Sequence, residues 1–301
     1  MSDIIKTLAE EPRKALVALA CFRFLTPKQF VRLGVAASDT VMRDYVLNRL
    51  ERRARPLAKA ASLSRWLPKV HYLTKHGAEE LATMYKLPLE EFRYPTGQVQ
   101  FGERMAKHRF AQVDFHIGLR MWAASRGAQV GLSDMDFDVS GSRRGGDFEP
   151  LTTIEIRGSD RPIIADGIFS VSLNDTPLLY ALEIHRTTQT KQVYTQIKRY
   201  MDMLENGDLS FKYGVEFPAV VCSVHTLDNV LRGVKKHLMA TPDFAAFKHL
   251  FYFNTTEQLA EDFSEGWEFA DGEPADPFPK TGNPVQTLSL DEPILPDDLS
   301  L

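Results

Sequence analysis

The apolar and polar positions of this chain fall into short periodic blocks. Over residues 12–24, Leu16, Leu19, Ala20 and Phe24 recur at helical spacing with Pro12 near the first turn, which predicts a first helix. Thr26-Pro27 then reads as an N-cap with proline at the first helical position, opening a short second helix over 28–33 that Gly34 closes. Ser38 or Asp39 can cap a third helix running to about Arg53, with Val41, Tyr45, Leu47 and Leu50 as its apolar side. Its other side is basic: Arg43, Asn48, Arg49, Arg52 and Arg53. Residues 56–61 and 69–73 read as two strands around Ser62-Leu63-Ser64-Arg65-Trp66, and Thr74 caps a helix over 75–85. Three helices, a tight turn between the second and third, and a hairpin predict a winged helix-turn-helix domain over residues 1–86.

Residues 87–102 read as a linker by their prolines and glycines. A long amphipathic helix follows over 103–126, with Met105, Phe110, Val113, Ile117, Met121 and Trp122 for a core. Glu103, His108, Asp114 and His116 on it could line a site, though each alone is more commonly surface or a satisfied core group. Strands are expected over 129–132 and 152–156, around a basic loop, Ser140 to Gly146, that either closes on a nucleic-acid backbone or is an insertion without order. A β-branched run then leads to Asp166, and a second strand over 178–184 contains Glu183. A helix over 190–204 carries Val193, Ile197 and Leu204 on one face and Gln192, Gln196, Lys198 and Arg199 on the other. Residues 217–224, nearly all apolar, predict a central strand buried on both faces. A helix over 227–240 with Arg232, Lys235, Lys236 and His237, a strand over 250–253 and a short helix over 255–263 complete a second domain, 103–263. Beyond it, residues 264–301 are rich in proline, glycine and acids without period, which predicts a poorly ordered tail.

Composition changes this picture in two places. At 301 residues, 44% hydrophobic and 25% charged, the chain has the size for two ordinary domains. No apolar run reaches the length of a membrane span and the amino terminus has no signal-peptide core, so a cytoplasmic protein with no membrane partner is expected. Cys21 and Cys222, both in apolar segments, fit buried free thiols. Charge is the more telling feature. From Arg43 to Lys75, nine basic residues, including Arg55, Arg65 and Lys69 beside those of the third helix, face only Asp44 and Glu51. From Glu257 to Leu301, twelve acids face Lys280 alone. The amino-terminal part suits a polyanion, with arginines reaching phosphates or guanine edges, and the acidic end suits a protein partner. A solvated charged helix, or a winged helix used for dimerisation, accounts for the same basic residues without DNA.

Two acids at the ends of neighbouring buried strands are costly unless compensated, commonly by a salt bridge. Asp166 and Glu183 can instead hold magnesium or manganese, for which two carboxylates on a rigid sheet are a hard-oxygen site. Asp166, then Glu183-Ile184-His185, resembles the PD-(D/E)xK nuclease superfamily, whose core is helix, three antiparallel strands, helix, strand. His185 stands where that superfamily has lysine, and histidine replaces the permanent cation only when protonated or as a metal ligand. Asp166-Gly167, Leu182-Glu183-Ile184-His185-Arg186-Thr187 and Lys198-Arg199-Tyr200 are together similar to the replication-relaxation family of plasmid and conjugative-element proteins. That resemblance implies an α+β chain, a winged helix followed by a restriction-endonuclease-like domain, acting in plasmid replication or mobilisation as a relaxase or nuclease. It implies double-stranded DNA as partner and single-stranded DNA at a nick; a homodimer is a further arrangement open to the chain. Asp166 and Glu183 would hold the metal, His185 or Lys198 would assist at the phosphate, and Tyr200 would be the nucleophile of a covalent relaxase. The alternative is a non-catalytic replication accessory or transcription regulator on a degenerate nuclease fold.

Overall fold

The computed structural model describes residues 8–278 except 63, 96–98, 100–101, 141–147, 174–175 and 215–218. The basic loop expected between Ser140 and Gly146 lies, apart from Ser140, outside the described residues, as does the tail beyond Phe278. The chain is of mixed α+β type and divides into two compact units between Ile117 and Gly118, a division that falls inside the long helix Glu103–Arg126. Among the described residues no helix is long and apolar enough to cross a membrane.

In the first unit, helix Glu10–Phe22 buries Leu16, Val17, Leu19 and Phe22 and stops at Arg23, which takes a left-handed φ of 67°. Phe24 therefore falls in the strand Phe24–Leu25 and not in the helix. Helix Pro27–Arg32 begins with a reciprocal cap. The Gln29 amide N donates to Thr26 Oγ1 (3.4 Å) and the Thr26 amide donates to Gln29 Oε1 (2.8 Å), satisfying two orphan helix donors. Replacing Thr26 by alanine is expected to cost about 1 kcal/mol, seen as a lower urea midpoint for the first unit.

The third helix spans residues 39–51, α-helical over Asp39–Val41 with Ser38 as N-cap, π over Met42–Leu47 and α-helical again over Asn48–Glu51. It buries Leu47 and Leu50 as expected, together with Met42 and Val46, and leaves Val41 38% and Tyr45 71% exposed, which corrects the expected apolar side at those two positions. Two adjacent i, i+4 stripes compete here, and the wholly aliphatic one goes inward because the tyrosine hydroxyl would need a buried partner. Strands Phe24–Leu25, Val70–Leu73 and Ala58–Ala61 form an antiparallel three-stranded sheet with Val70–Leu73 in the centre. Thr74 caps helix Lys75–Tyr85 by accepting from the Gly77 amide (3.0 Å). A Cβ on Gly77 would stand 2.2 Å from the Leu57 carbonyl oxygen, so this turn admits only glycine. Phe22, Leu25, Phe30, Leu47, Leu50, Leu73, Leu81 and Ile117 belong to one continuous core.

The second unit is built on a mixed five-stranded sheet. Its order is Phe251–Thr255, Ala219–His225, Thr176–His185, Gly167–Leu173, Gln129–Met135. The last three are an antiparallel meander, and the first two run parallel to Thr176–His185. The two parallel steps are crossed by helices Thr190–Asn206 and Asp228–Met239, which pack on one another. Gly207, at φ 66°, ends the first of these where a side chain would be strained. Val193, Ile197, Met201, Val230 and Val234 pack with Leu179, Ala181, Val221 and Phe253 from one face of the sheet. Tyr180, on the other face by strand alternation, stacks on Phe278 (5.2 Å between centroids). The expected disorder beyond residue 263 is therefore corrected for residues 264–278. Trp267, Ala270 and Phe278 are buried, and Glu268 forms isolated bridges with Phe253 and Pro274. Cys21 and Cys222 are free thiols, Cys222 fully buried.

Candidate active site and nucleic-acid interface

Asp166 lies two residues past the short strand Ile163–Ile164 and immediately precedes strand Gly167–Leu173, while Glu183 sits near the carboxyl end of the neighbouring strand. The two are joined through the backbone. The Asp166 amide donates to the Leu182 carbonyl (3.0 Å), and the Ile184 amide donates to Asp166 Oδ2 (2.6 Å), which holds the half-buried Asp166 carboxylate against the residues flanking Glu183.

Glu183 is 4% exposed and points to the helical face of the sheet. Gln196 and Tyr200, one helical turn apart on Thr190–Asn206, both reach it: Gln196 Nε2 donates to Oε2 (2.6 Å) and the Tyr200 hydroxyl donates to Oε1. Burial first, and then the negative charge of Asp166 and of Asp136, hold the Glu183 carboxyl well above the usual carboxylate range. Burial and the charge of Glu183 push the Tyr200 hydroxyl up in turn.

Beside this group lies a pair of histidines. His185 faces His225 across the parallel strands, rings 4.8 Å apart, and Glu183 faces Ser223 in the same register. Ser223 Oγ and His225 Nε2 are 3.0 Å apart, and both residues are wholly buried. Burial, then the neighbouring His185 and Lys235, drive the His225 pKa down to about 2, which disfavours the charged imidazole.

Of the residues predicted for catalysis, the structure gathers Asp166, Glu183, His185 and Tyr200. Lys198 is exposed, and it follows Gln196 and precedes Tyr200 by two positions each, roughly 200° around the helix, so it points away from Glu183. Arg199 is turned to the carbonyls of Arg161 (2.6 Å) and Pro162 (2.7 Å). Tyr200 is fully buried with its proton committed to Glu183, a position suited to holding that carboxylate and not to attacking a phosphate. The polar residues of the long helix belong elsewhere. Asp114 accepts from Gln29 (3.0 Å) and His116 packs edge-on against Phe22 (4.8 Å), both within the first unit. On Asp228–Met239, Arg232 pairs with Asp228 (3.0 Å) and Lys235 with Glu268 (2.6 Å).

Three participants were missed by reading the sequence. Asp136 follows strand Gln129–Met135, and its amide donates to the Asp166 carbonyl (3.3 Å). Its signal was the period-two series Asp134, Asp136, Asp138. Ser223 was hidden in a strand read as nearly all apolar over 217–224, and His225 lay one residue beyond its expected end, whereas the strand runs Ala219–His225.

Carboxylate oxygens are the donors a hard cation takes. Asp166 and Glu183 offer such oxygens, and Asp136 adds a third negative charge near enough to act on Glu183. Among the described residues no three or more ligand-type side chains are grouped so as to hold a metal ion. The cavity of about 290 Å³ lined by Met203, Leu204, Leu209, Ala219 and Leu250 contains none of these side chains.

The basic residues of the first unit lie at its surface. Arg43, Arg49 and Arg52 are exposed and Asn48 is half-buried on the third helix, around the exposed Tyr45. Arg43 Nε and Asn48 Nδ2 donate to carbonyls four residues back, Asp39 (3.4 Å) and Asp44 (3.3 Å). Arg53 is half-buried, and Arg55 is exposed with its guanidinium 3.6 Å from Glu79. Arg65 and Lys69 are exposed on the segment joining Ala58–Ala61 to Val70–Leu73.

No family model matches the chain, and no curated protein matches it in sequence.

Proposed function

We propose that this chain is a DNA-binding protein of plasmid or mobile-element replication or mobilisation, with a winged-helix unit that docks on duplex DNA and a PD-(D/E)xK-like unit that nicks one strand. The observation that carries this reading is the seating of Asp166 and Glu183 on adjacent strand ends, each within reach of the other's charge, beside a helix that grips Glu183 through Gln196 and Tyr200. The order long helix, three antiparallel strands, helix, parallel strand supports the nuclease-like fold, and three helices followed by the hairpin Ala58–Ala61, Val70–Leu73 support the winged helix.

Asp166 and Glu183 would hold a magnesium or manganese ion, which when bound activates water and neutralises charge at a phosphate. Tyr200 and Gln196 orient Glu183, and Ile184 orients Asp166 through its amide. His185, one residue past Ile184, is the group nearest in sequence that can carry a proton toward a leaving oxygen.

A second reading is favoured by one specific observation. Both oxygens of Glu183 already accept hydrogen bonds, and histidine stands at 185 where the superfamily has lysine, which suits a retired site on a DNA-binding replication accessory or transcription regulator. Supercoiled-plasmid nicking with magnesium or manganese separates the two, since tight binding without nicking leaves only the second. For the DNA interface, fluorescence anisotropy with a labelled duplex is expected to show Arg49→Ala/Arg52→Ala binding more weakly on all sequences. The slope of log K against log salt should fall by about 2. An unchanged slope would remove the third helix from the interface.

A further inference from the structure

Trp66 is 73% exposed, whereas Trp122 and Trp267 are 6% and 3% exposed. Leaving an indole in water forgoes burial worth about 2 kcal/mol or more. The turn that presents it is nevertheless well built. The Trp66 amide donates to Ser64 Oγ (3.2 Å), the Leu67 amide donates to the Ser64 carbonyl (3.2 Å), and the Arg65 guanidinium lies 4.3 Å from the centre of the indole. The surroundings are cationic. Between Glu51 and Glu79 the chain has seven arginines and lysines and no acid, and Lys59, Arg65 and Lys69 are exposed.

An aromatic face fixed on a short turn, with a guanidinium stacked on it and further cations nearby, matches a flat π-system that carries negative charge beside it. A nucleobase with its phosphate has that chemistry. Inside an intact duplex both faces of a base are covered by its neighbours, so only a base out of the stack can use this platform. We infer that Trp66 with Arg65 is a binding site for an unstacked nucleobase, so that the first unit engages duplex DNA adjoining a single-stranded segment in preference to uninterrupted duplex. This rests on the DNA-binding reading above and specifies its substrate.

The test uses the full chain. Because Trp122 and Trp267 are buried, iodide-quenchable fluorescence in the free protein reports Trp66. Titration with a duplex bearing a single-stranded tail is expected to quench this emission and protect it from iodide, while a blunt duplex of equal length leaves it nearly unchanged. By anisotropy, Trp66→Ala should weaken binding to the tailed duplex about 5- to 100-fold and to the blunt duplex less than about 2-fold, with Trp66→Phe restoring most of the loss. Circular dichroism of Trp66→Ala identical to wild type will show the fold intact. If the protein binds both DNAs and Trp66→Ala binds the tailed one like wild type, the inference falls and the DNA-binding reading stands. If neither DNA binds, both fall. If Trp66→Ala changes only the oligomeric state, a second copy of the chain is the occupant and the inference falls.

Discussion

Glu183→Ala is expected to reduce metal-dependent nicking of supercoiled plasmid by at least about 100-fold, since removing one ligand and one charge from a two-carboxylate site costs several kcal/mol of transition-state stabilisation. Alanine also strands the Tyr200 hydroxyl and the Gln196 amide in a buried space, so lost activity alone would not separate chemistry from collapse. Glu183→Gln makes that separation. Its carbonyl can accept from Tyr200, Gln196 can turn its amide to offer an oxygen, and the buried charge is gone. The sign of the stability change follows from the raised Glu183 pKa. A carboxyl whose folded pKa lies above its unfolded value near 4.5 contributes stability that is fully present below that value and lost as pH rises through the folded pKa. At neutral pH without metal, Glu183→Gln is therefore expected to melt about 3–8 °C higher than wild type while nicking no DNA. Magnesium or manganese should raise the wild-type midpoint and leave that of the variant unmoved. Calorimetry from pH 4.5 to 8 beside the plasmid assay reads both quantities. A Glu183→Gln protein that nicks like wild type would exclude the carboxylate from the chemistry, and one that melts lower would contradict the buried-charge account.

Local chemistry carried most of what the sequence revealed. Thr26-Pro27, Ser38 and Thr74 fixed three helix starts because an N-cap is written in one residue and its two neighbours. Asp166 and Glu183 were legible because an acid in an apolar run is conspicuous by itself. The side of the third helix was not, since Val41-Tyr45 and Met42-Val46 are both valid helical stripes and only packing in three dimensions chooses between them. Asp136, Ser223 and His225 were lost for a related reason. Their meaning depends on which strand lies beside Thr176–His185 and in what register, and pairings such as His185 with His225 join residues forty positions apart that no local pattern links. Lys198 and Tyr200 stood in a suggestive order along the chain, yet helical geometry turns one to solvent and the other into the core.

Phe278→Ala is expected to destabilise the second unit by about 3–5 kcal/mol, the range for emptying a fully buried aromatic site. Composition hid this residue, because prolines and acids dominate the tail average while two buried aromatics, Trp267 and Phe278, do the anchoring. Phe278 lies 4.6 Å from Phe263, 5.3 Å from Trp122 and 5.4 Å from Trp267 between ring centroids, and it stacks on Tyr180, whose hydroxyl donates to the Pro277 carbonyl (2.9 Å). Losing the ring uncovers both tryptophans, so urea unfolding followed by fluorescence should show an earlier transition and, before it, a red-shifted emission. Phe211→Ala provides the control, since Phe211 is 83% exposed and its loss should move the midpoint by less than about 0.5 kcal/mol. Tyr180 and Glu183 project from opposite faces of one strand, so below the transition Phe278→Ala should nick DNA as wild type does. An unchanged urea midpoint would mean that residues 264–278 merely rest on the sheet. A lowered nicking rate in the folded variant would mean that the aromatic seat also sets the position of the strand that carries Glu183.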